Sequence, residues 1–370
     1  MSTKEHVSSP THRVGESNPG KNDPGVVDKI LSFGSLYKAA QKCRRNVRWK
    51  DSVSGFTNHS LMHILKLWQD LISGNYHIQK YSKFFVYEPK KRAITSTRFR
   101  DRVFQRSLCD NYLYKEITKN FIANNCACQI DKGTDYARKT LLNMYREFFL
   151  KHGLEGWVLK CDLKDFFGST KHWLAKKSIS DRVNNSFVSS KVNAIIDSFG
   201  DDMGIGLGSQ VSQLIQLAVL DDLDHFITEE LGFTLFVRYM DDFVLISESK
   251  ETLQRARERI QSFLEERELK LSTKKTQIFP LTQPMMFLGF SYKLWNTGKV
   301  TLKYPRAKEK KERRKLQKLV NRVSCGFMSL KELEACYQSW RAHCKKSDSR
   351  GRMLKMDKYF KKLKGEIKPC

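Results

Sequence analysis

Apolar and polar positions along the chain fall into blocks with different periods. Residues 1–25 are Ser, Thr, Gly, Pro, Asn and charge with almost nothing to bury, which predicts a disordered tail. Two helical patterns follow between Val26 and about Asn75, the second in LMHILKLWQDLI. KFFVYEPKKRAIT (83–95) places Phe85, Tyr87 and branched residues on either side of EPKKR, the signature of a β-hairpin. A helix is expected over roughly 99–118, a short buried-type strand at 157–163 (WVLKCDL) and a long apolar-faced helix at 214–231. In FTLFVRYMDDFVLIS (233–247), two apolar runs flank Met240-Asp241-Asp242 and predict strand, tight turn, strand. Leu253, Ala256, Ile260, Phe263 and Leu264 then keep helical spacing, KLSTKKTQIFPL (270–281) returns to strand, and Phe287-Leu288-Gly289-Phe290 marks a further hairpin. Strands alternating with helices in this order suggest an α+β fold.

Charge changes the picture most. The chain has 67 Lys and Arg against 40 Asp and Glu, a net +27, which a polyanion such as nucleic acid would offset. Residues 304–364 hold 20 Lys or Arg and 6 Asp or Glu, so about half of the excess sits in the last sixth of the chain. There RAKEKKERRKLQKLVNRV (306–323) reads as a helix, and CYQSWRAHCKK (336–346) sets Tyr337 and Trp340 among cations. That interleaving predicts a surface that tracks a nucleic-acid backbone and stacks its bases, against the alternative of a solvated charged helix. No run approaches 18 apolar residues and the N-terminus has no apolar signal core, so neither a membrane span nor secretion is expected. Nine cysteines without a CxxC pair read as reduced thiols of a cytoplasmic protein, and His59 and His63 as helix-surface residues without a third metal ligand.

Adjacent aspartates on a turn between apolar strands repel one another, and burial disfavours their ionised forms, so a compensating cation is expected. Oxygen ligands without His or Cys nearby select Mg²⁺ or Mn²⁺. Asp162, at the end of an apolar strand, is the best third carboxylate beside Asp241 and Asp242. Two such ions would acidify a primer 3′-hydroxyl and neutralise departing pyrophosphate. The bland alternative is an ordinary turn, where Asp is common.

Tyr239-Met240-Asp241-Asp242 resembles the YxDD box of reverse transcriptases, and most of residues 84–292 lines up with that family's ordered motifs. EPKKRAI with RFRDRVFQRSLCD (98–110) resembles the fingers motif of bacterial retroelement enzymes, and Lys132-Gly133-Thr134 the next motif. CDLKDFFGST (161–170) resembles the palm strand with the first metal aspartate, LGSQVSQ (207–213) the template- and nucleotide-contacting loop, and LSTKKTQ and FLGF the last palm motifs. The resemblance implies a right-hand polymerase fold: an N-terminal helical extension (26–82), fingers and palm with an antiparallel sheet (83–292), and a basic helical thumb and tail (293–370). It implies an RNA-directed DNA polymerase, a nucleotidyltransferase with two Mg²⁺ (or Mn²⁺) on Asp162, Asp241 and Asp242.

Further roles follow from the same resemblance. Lys91 and Arg92, with Lys90 beside them, are placed to grip a triphosphate, against the alternative of an exposed basic turn. Lys275, or equally its neighbour Lys274, could protonate pyrophosphate. Leu207, Gly208, Gln213, Tyr239 and Met240 would meet template or nucleotide, and Arg238 would pair with a carboxylate or phosphate. Phe167 stands where viral RNA polymerases tend to carry an Asp that recognises a ribose hydroxyl; its ring would favour deoxynucleotides, unless it is simply core.

Leu207-Gly208 and Ser212-Gln213 replace the Gln-Gly and Ser-Pro of many family members and resemble the enzymes of diversity-generating retroelements, which implies low fidelity; Gln129 departs from the Arg common in that group. An antiphage-defence or uncharacterised bacterial reverse transcriptase working with a non-coding RNA is the alternative, and a non-catalytic RNA-binding protein a third reading. The partners implied are an RNA template or cognate non-coding RNA, dNTPs and the cDNA product, with an accessory protein left open.

Overall fold

The computed structural model describes residues 23–87, 91–200 and 202–367 and forms two compact units. The first draws on residues up to Lys119 together with Lys171–Ala218, the second on Asn120–Thr170 together with Val219 onward. Residues 1–22 of the expected tail lie outside the described residues. The boundary at 25 is corrected, because a helix already begins at Pro24: Asp23 accepts a hydrogen bond from Gly25 N at 2.9 Å, and proline suits the first helical position.

In the first unit the two expected N-terminal helices are four, Pro24–Leu31, Phe33–Cys43, Asp51–Asn58 and Ser60–Ile72. Their breaks have local causes. Ser32 ends the first helix and caps the second by accepting from Ser35 N at 3.2 Å. Ile30, Leu36, Val53, Ile64 and Leu67 are buried, as are Val103, Phe104 and Leu108 of the helix Phe99–Leu108. The hairpin pairs β1 (Ser82–Val86) antiparallel with β2 (Arg92–Ser96), with Val86 opposite Arg92; Lys90 and the rest of residues 88–90 lie outside the described residues.

The second unit holds a four-stranded antiparallel sheet of β3 (Trp157–Asp162), β4 (Phe236–Tyr239), β5 (Asp242–Ser247) and β6 (Gln277–Pro280), in the order β4-β5-β3-β6. The two central strands bury Val158, Leu159, Phe243, Val244 and Leu245, which is why they read as apolar runs. The strand expected over 270–281 is shorter, because Ser272–Thr276 form a turn in which Lys275 N and Thr276 N both donate to the Ser272 carbonyl, at 3.1 and 2.8 Å. The hairpin at 287–290 is part of a three-stranded sheet of β7 (Met285–Phe287), β8 (Phe290–Leu294) and β9 (Val300–Lys303).

The basic C-terminal segment is three helices, Arg306–Ser324, Leu330–Lys345 and Arg350–Gly365. The middle one starts on a capping box between Ser329 and Glu332. Here the structure overturns one expectation. Tyr337 and Trp340 are not a base-stacking surface but buried core, in line with Leu333 and Cys344 on one helix face. The spacing 333, 337, 340, 344 is that of a helix seam, and the seam packs inward.

Candidate active site

Strand register brings the carboxylates together. Asp162 ends β3 directly opposite Asp242, the first residue of β5, while Tyr239 at the end of β4 is also paired with Asp242. The two-residue loop between β4 and β5 is Met240-Asp241, with Met240 left-handed at φ +56°. Tight hairpin loops whose twist matches the strands need a positive φ at the first loop position. Leu163 N donates to the Asp241 carbonyl at 3.3 Å, which ties the end of β3 to the loop.

Each strand-borne carboxylate meets a lysine. Lys160 Nζ lies 3.3 Å from Asp242 Oδ1, and Lys275 forms an ion pair with Asp162 Oδ1. Lys160 was not singled out from the sequence. The signal was present, because strand residues two apart share a face and Lys160 is the diagonal neighbour of Asp242 across the ladder. Lys275 owes its position to the turn just described, where Ser272 N donates to the Asp162 carbonyl at 2.8 Å. Burial pushes the Asp242 carboxyl up to about 6; Lys160 opposes the shift, and the Asp162 and Asp241 charges add to it.

Among the described residues no three His, Cys, Asp or Glu side chains converge as a metal cluster. The donors nonetheless suit a hard divalent cation. They are all oxygen, and Asp242 Oδ1 is buried without a well-formed hydrogen bond. A cation there would take over the charge compensation that Lys160 and Lys275 supply.

Other expected residues of this unit lie nearby in sequence. Phe167 sits on the short helix Phe166–Ser169, half-buried and edge-to-face with the buried Phe166 at 5.9 Å. Tyr239 and Met240 are half-buried, and Met240 Sδ lies 3.9 Å from Cys128 Sγ. Arg238 is fully buried and pairs with a carboxylate, as expected, and that carboxylate is Asp224: Nε donates to Oδ1 and Nη2 to Oδ2, each at 2.5 Å. Its Nη1 donates to the Met240 carbonyl at 3.1 Å. Lys132 is structural, donating to the carbonyls of Ala123 and Asn125 at 2.9 and 3.0 Å.

The first unit carries the remaining expected residues. Lys91 and Arg92 are exposed, with Lys91 Nζ 4.5 Å from the centroid of the Phe85 ring. Thr95 N of β2 donates to the Leu207 carbonyl at 3.1 Å, so the hairpin and the 207–213 loop are joined. Gly208 is required at that junction. Its φ is +125°, and a Cβ there would stand 3.1 Å from the Thr95 carbonyl oxygen. Ser209 donates to Gln105 Oε1 at 2.7 Å below the loop, while Gln213 is exposed on the helix Gln210–Val219. The buried Gln105 is a second supporting residue that sequence reasoning did not single out.

A family model described as reverse transcriptase (RNA-dependent DNA polymerase) matches residues 78–292. No curated protein matches the chain. Among solved structures, the chain is similar to apo telomerase from Candida tropicalis truncated from the C-terminal domain, with 13% identity and a TM-score of 0.47 over 66% of this chain and 60% of that one. It is also similar to telomerase from Candida albicans in complex with a fragment of telomeric RNA, with 13% identity and a TM-score of 0.49 over 77% of this chain and 55% of that one. The chain thus spans little more than half the length of these structures. No helix among the described residues is long and apolar enough to cross a membrane.

Proposed function

Because this chain belongs to the reverse transcriptase family, we propose that it is an RNA-directed DNA polymerase that makes cDNA from a cognate structured RNA, with low fidelity, as part of a diversity-generating type of retroelement. Asp162, Asp241 and Asp242 are the residues that would hold two divalent ions, Mg²⁺ or Mn²⁺. The observation that carries this assignment is the register of β3 against β5, which sets Asp162 opposite Asp242 beside the Met240-Asp241 turn. Bound there, the ions supply acidification of the primer 3′-hydroxyl and charge neutralisation of pyrophosphate.

The chain's own groups complete the scheme. Lys275 is within reach of Asp162 and can give a proton to the departing pyrophosphate once the carboxylate no longer holds it. Lys91 and Arg92 offer exposed cations to the triphosphate. Phe167 offers no hydrogen bond to a 2′-hydroxyl, which favours dNTPs. Leu207 gives the 207–213 loop an apolar side chain where many relatives have glutamine, and the lost polar contact relaxes base selection. The cations of residues 304–364 would hold an RNA or duplex backbone, so affinity falls steeply with salt.

The test is sequencing of cDNA made by the purified protein with its co-purifying RNA, Mg²⁺ and dNTPs, beside an Asp241→Ala/Asp242→Ala control. Errors concentrated at template adenines support the diversity-generating reading. Accurate or repetitive DNA from one bound RNA favours an antiphage-defence enzyme instead. Equal product from wild type and control removes the aspartates from the chemistry, and a salt-insensitive affinity removes the basic segment from binding.

A further inference from the structure

The guanidinium of Arg238 and the carboxylate of Asp224 are both fully buried, and they meet through two parallel hydrogen bonds of 2.5 Å. Taking two ions out of water is costly, and such a pair contributes little net stability over an apolar pair of the same volume. Its value lies in geometry, because a bidentate fork fixes the plane and position of the guanidinium. The pair is further braced. Asn125 Nδ2 donates to Asp224 Oδ2 at 3.2 Å, Cys126 N to the Arg238 carbonyl at 2.9 Å, and Arg238 N to the Asn124 carbonyl at 3.0 Å. Lys132 and Gln129 in turn donate to the Asn125 carbonyl at 3.0 and 2.6 Å. One guanidinium nitrogen is left over, Nη1, and it donates to the Met240 carbonyl at 3.1 Å.

The backbone of Met240 needs holding. It is left-handed, a conformation in which a side chain with a Cβ is strained, and its carbonyl belongs to the peptide that leads into Asp241. Among the described residues β4 is also the edge strand of its sheet, with β5 as its one strand neighbour. On its other side it has the isolated bridge to Asn125 in place of a further strand.

We propose that Arg238, locked by Asp224, is a positioning residue: through the Met240 carbonyl it fixes the turn that sets Asp241 and Asp242 for divalent-cation binding. The inference rests on the assignment of those aspartates as ion ligands. It places a determinant of metal affinity in a buried pair that touches neither metal nor substrate.

The experiment measures Mn²⁺ affinity directly, by electron paramagnetic resonance of the free ion, alongside thermal unfolding and primer extension. The double variant Arg238→Gln/Asp224→Asn replaces both buried charges by neutral amides. The expected result is a cooperative unfolding transition with Mn²⁺ affinity lowered about tenfold, the range for groups that orient ligands from behind, and extension recovered at excess Mn²⁺. A folded double variant with wild-type Mn²⁺ affinity overturns the proposal, since a purely structural pair would move only the unfolding temperature. If the double variant does not fold, Arg238→Lys carries the same two readings: it keeps the charge against Asp224 but replaces the planar fork that reaches both Asp224 and the Met240 carbonyl by a single point of donors on a flexible stem. Asp241→Ala separates this proposal from its premise. Wild-type Mn²⁺ affinity in Asp241→Ala refutes the ligand assignment; its loss there, with normal affinity in the Arg238 variants, refutes only the positioning role.

Discussion

Two parts of the molecule place aromatic rings beside cations, with opposite outcomes. In the hairpin, Phe85 and Tyr87 are 53% and 68% exposed, and Lys91 Nζ lies over the Phe85 ring. In the C-terminal helices, Tyr337 and Trp340 are 3% and 6% exposed. Tyr337 stacks on Phe360 with centroids 3.9 Å apart, and Trp340 meets Tyr304 edge-on at 5.9 Å. The local sequences are alike in composition; what differs is the layer behind them. A two-stranded ribbon has no layer of its own to cover either face. A helix with apolar residues at 333, 337, 340 and 344 buries that face as soon as a neighbouring helix is available. Cations beside an aromatic therefore say little about exposure, whereas the period of the aromatics says a great deal.

Substitutions can break or sharpen this contrast. Trp340→Ala should cost about 3–5 kcal/mol in urea unfolding, as expected for a buried indole; a loss within about 0.5 kcal/mol would mean the ring is surface after all. Tyr337→Phe removes a hydroxyl that donates to Asp357 Oδ1 at 2.5 Å, and Arg341 still pairs with that carboxylate. The expected cost is about 1 kcal/mol by the same measurement.

A smaller effect is expected from His343, which packs on Phe290 and Tyr304. Burial, with the charges of Arg138, Lys308 and Lys346, holds its pKa below the ordinary 6.5. Its contribution is fully present above that value and is lost as pH falls, because the unfolded chain takes up the proton first. A pH series of melting temperatures should therefore show a decline below about 6.5 that His343→Phe removes. Least of all should Phe85→Ala or Tyr87→Ala disturb stability, within about 0.5 kcal/mol.

Much of the candidate site was legible because its signals are local. The apolar runs after Asp242 and before Asp162 are the buried central strands β5 and β3, and such strands announce themselves as continuous apolar segments. Lys160 was hidden by the same habit of reading, since one charge in an apolar run is easily passed over unless the strand's two faces are separated. The segment 270–281 looked like one strand because Leu271, Thr273, Thr276 and Ile278 are strand formers. The Ser272 turn, tied to the Asp162 carbonyl, overrides that propensity. The strand Val300–Lys303 is too short to stand out after Asn296-Thr297-Gly298. Asp224, the partner of Arg238, lies on a different element from β4, and no local pattern links the two.

The lysine partners of Asp162 and Asp242 have a practical consequence. Many small metal-dependent domains are unfolded without their ion, whose binding supplies their folding free energy, and uncompensated carboxylates at a site would add repulsion. Here Lys160 and Lys275 already balance the strand-borne carboxylates. If Asp162, Asp241 and Asp242 hold the ions as proposed, chelation should stop synthesis without melting the protein: in EDTA the unfolding temperature should stay where it is. A stockpile of apoprotein could then be kept, mixed with the proposed RNA template and started at a chosen moment by adding the ion, which would give every molecule the same starting time.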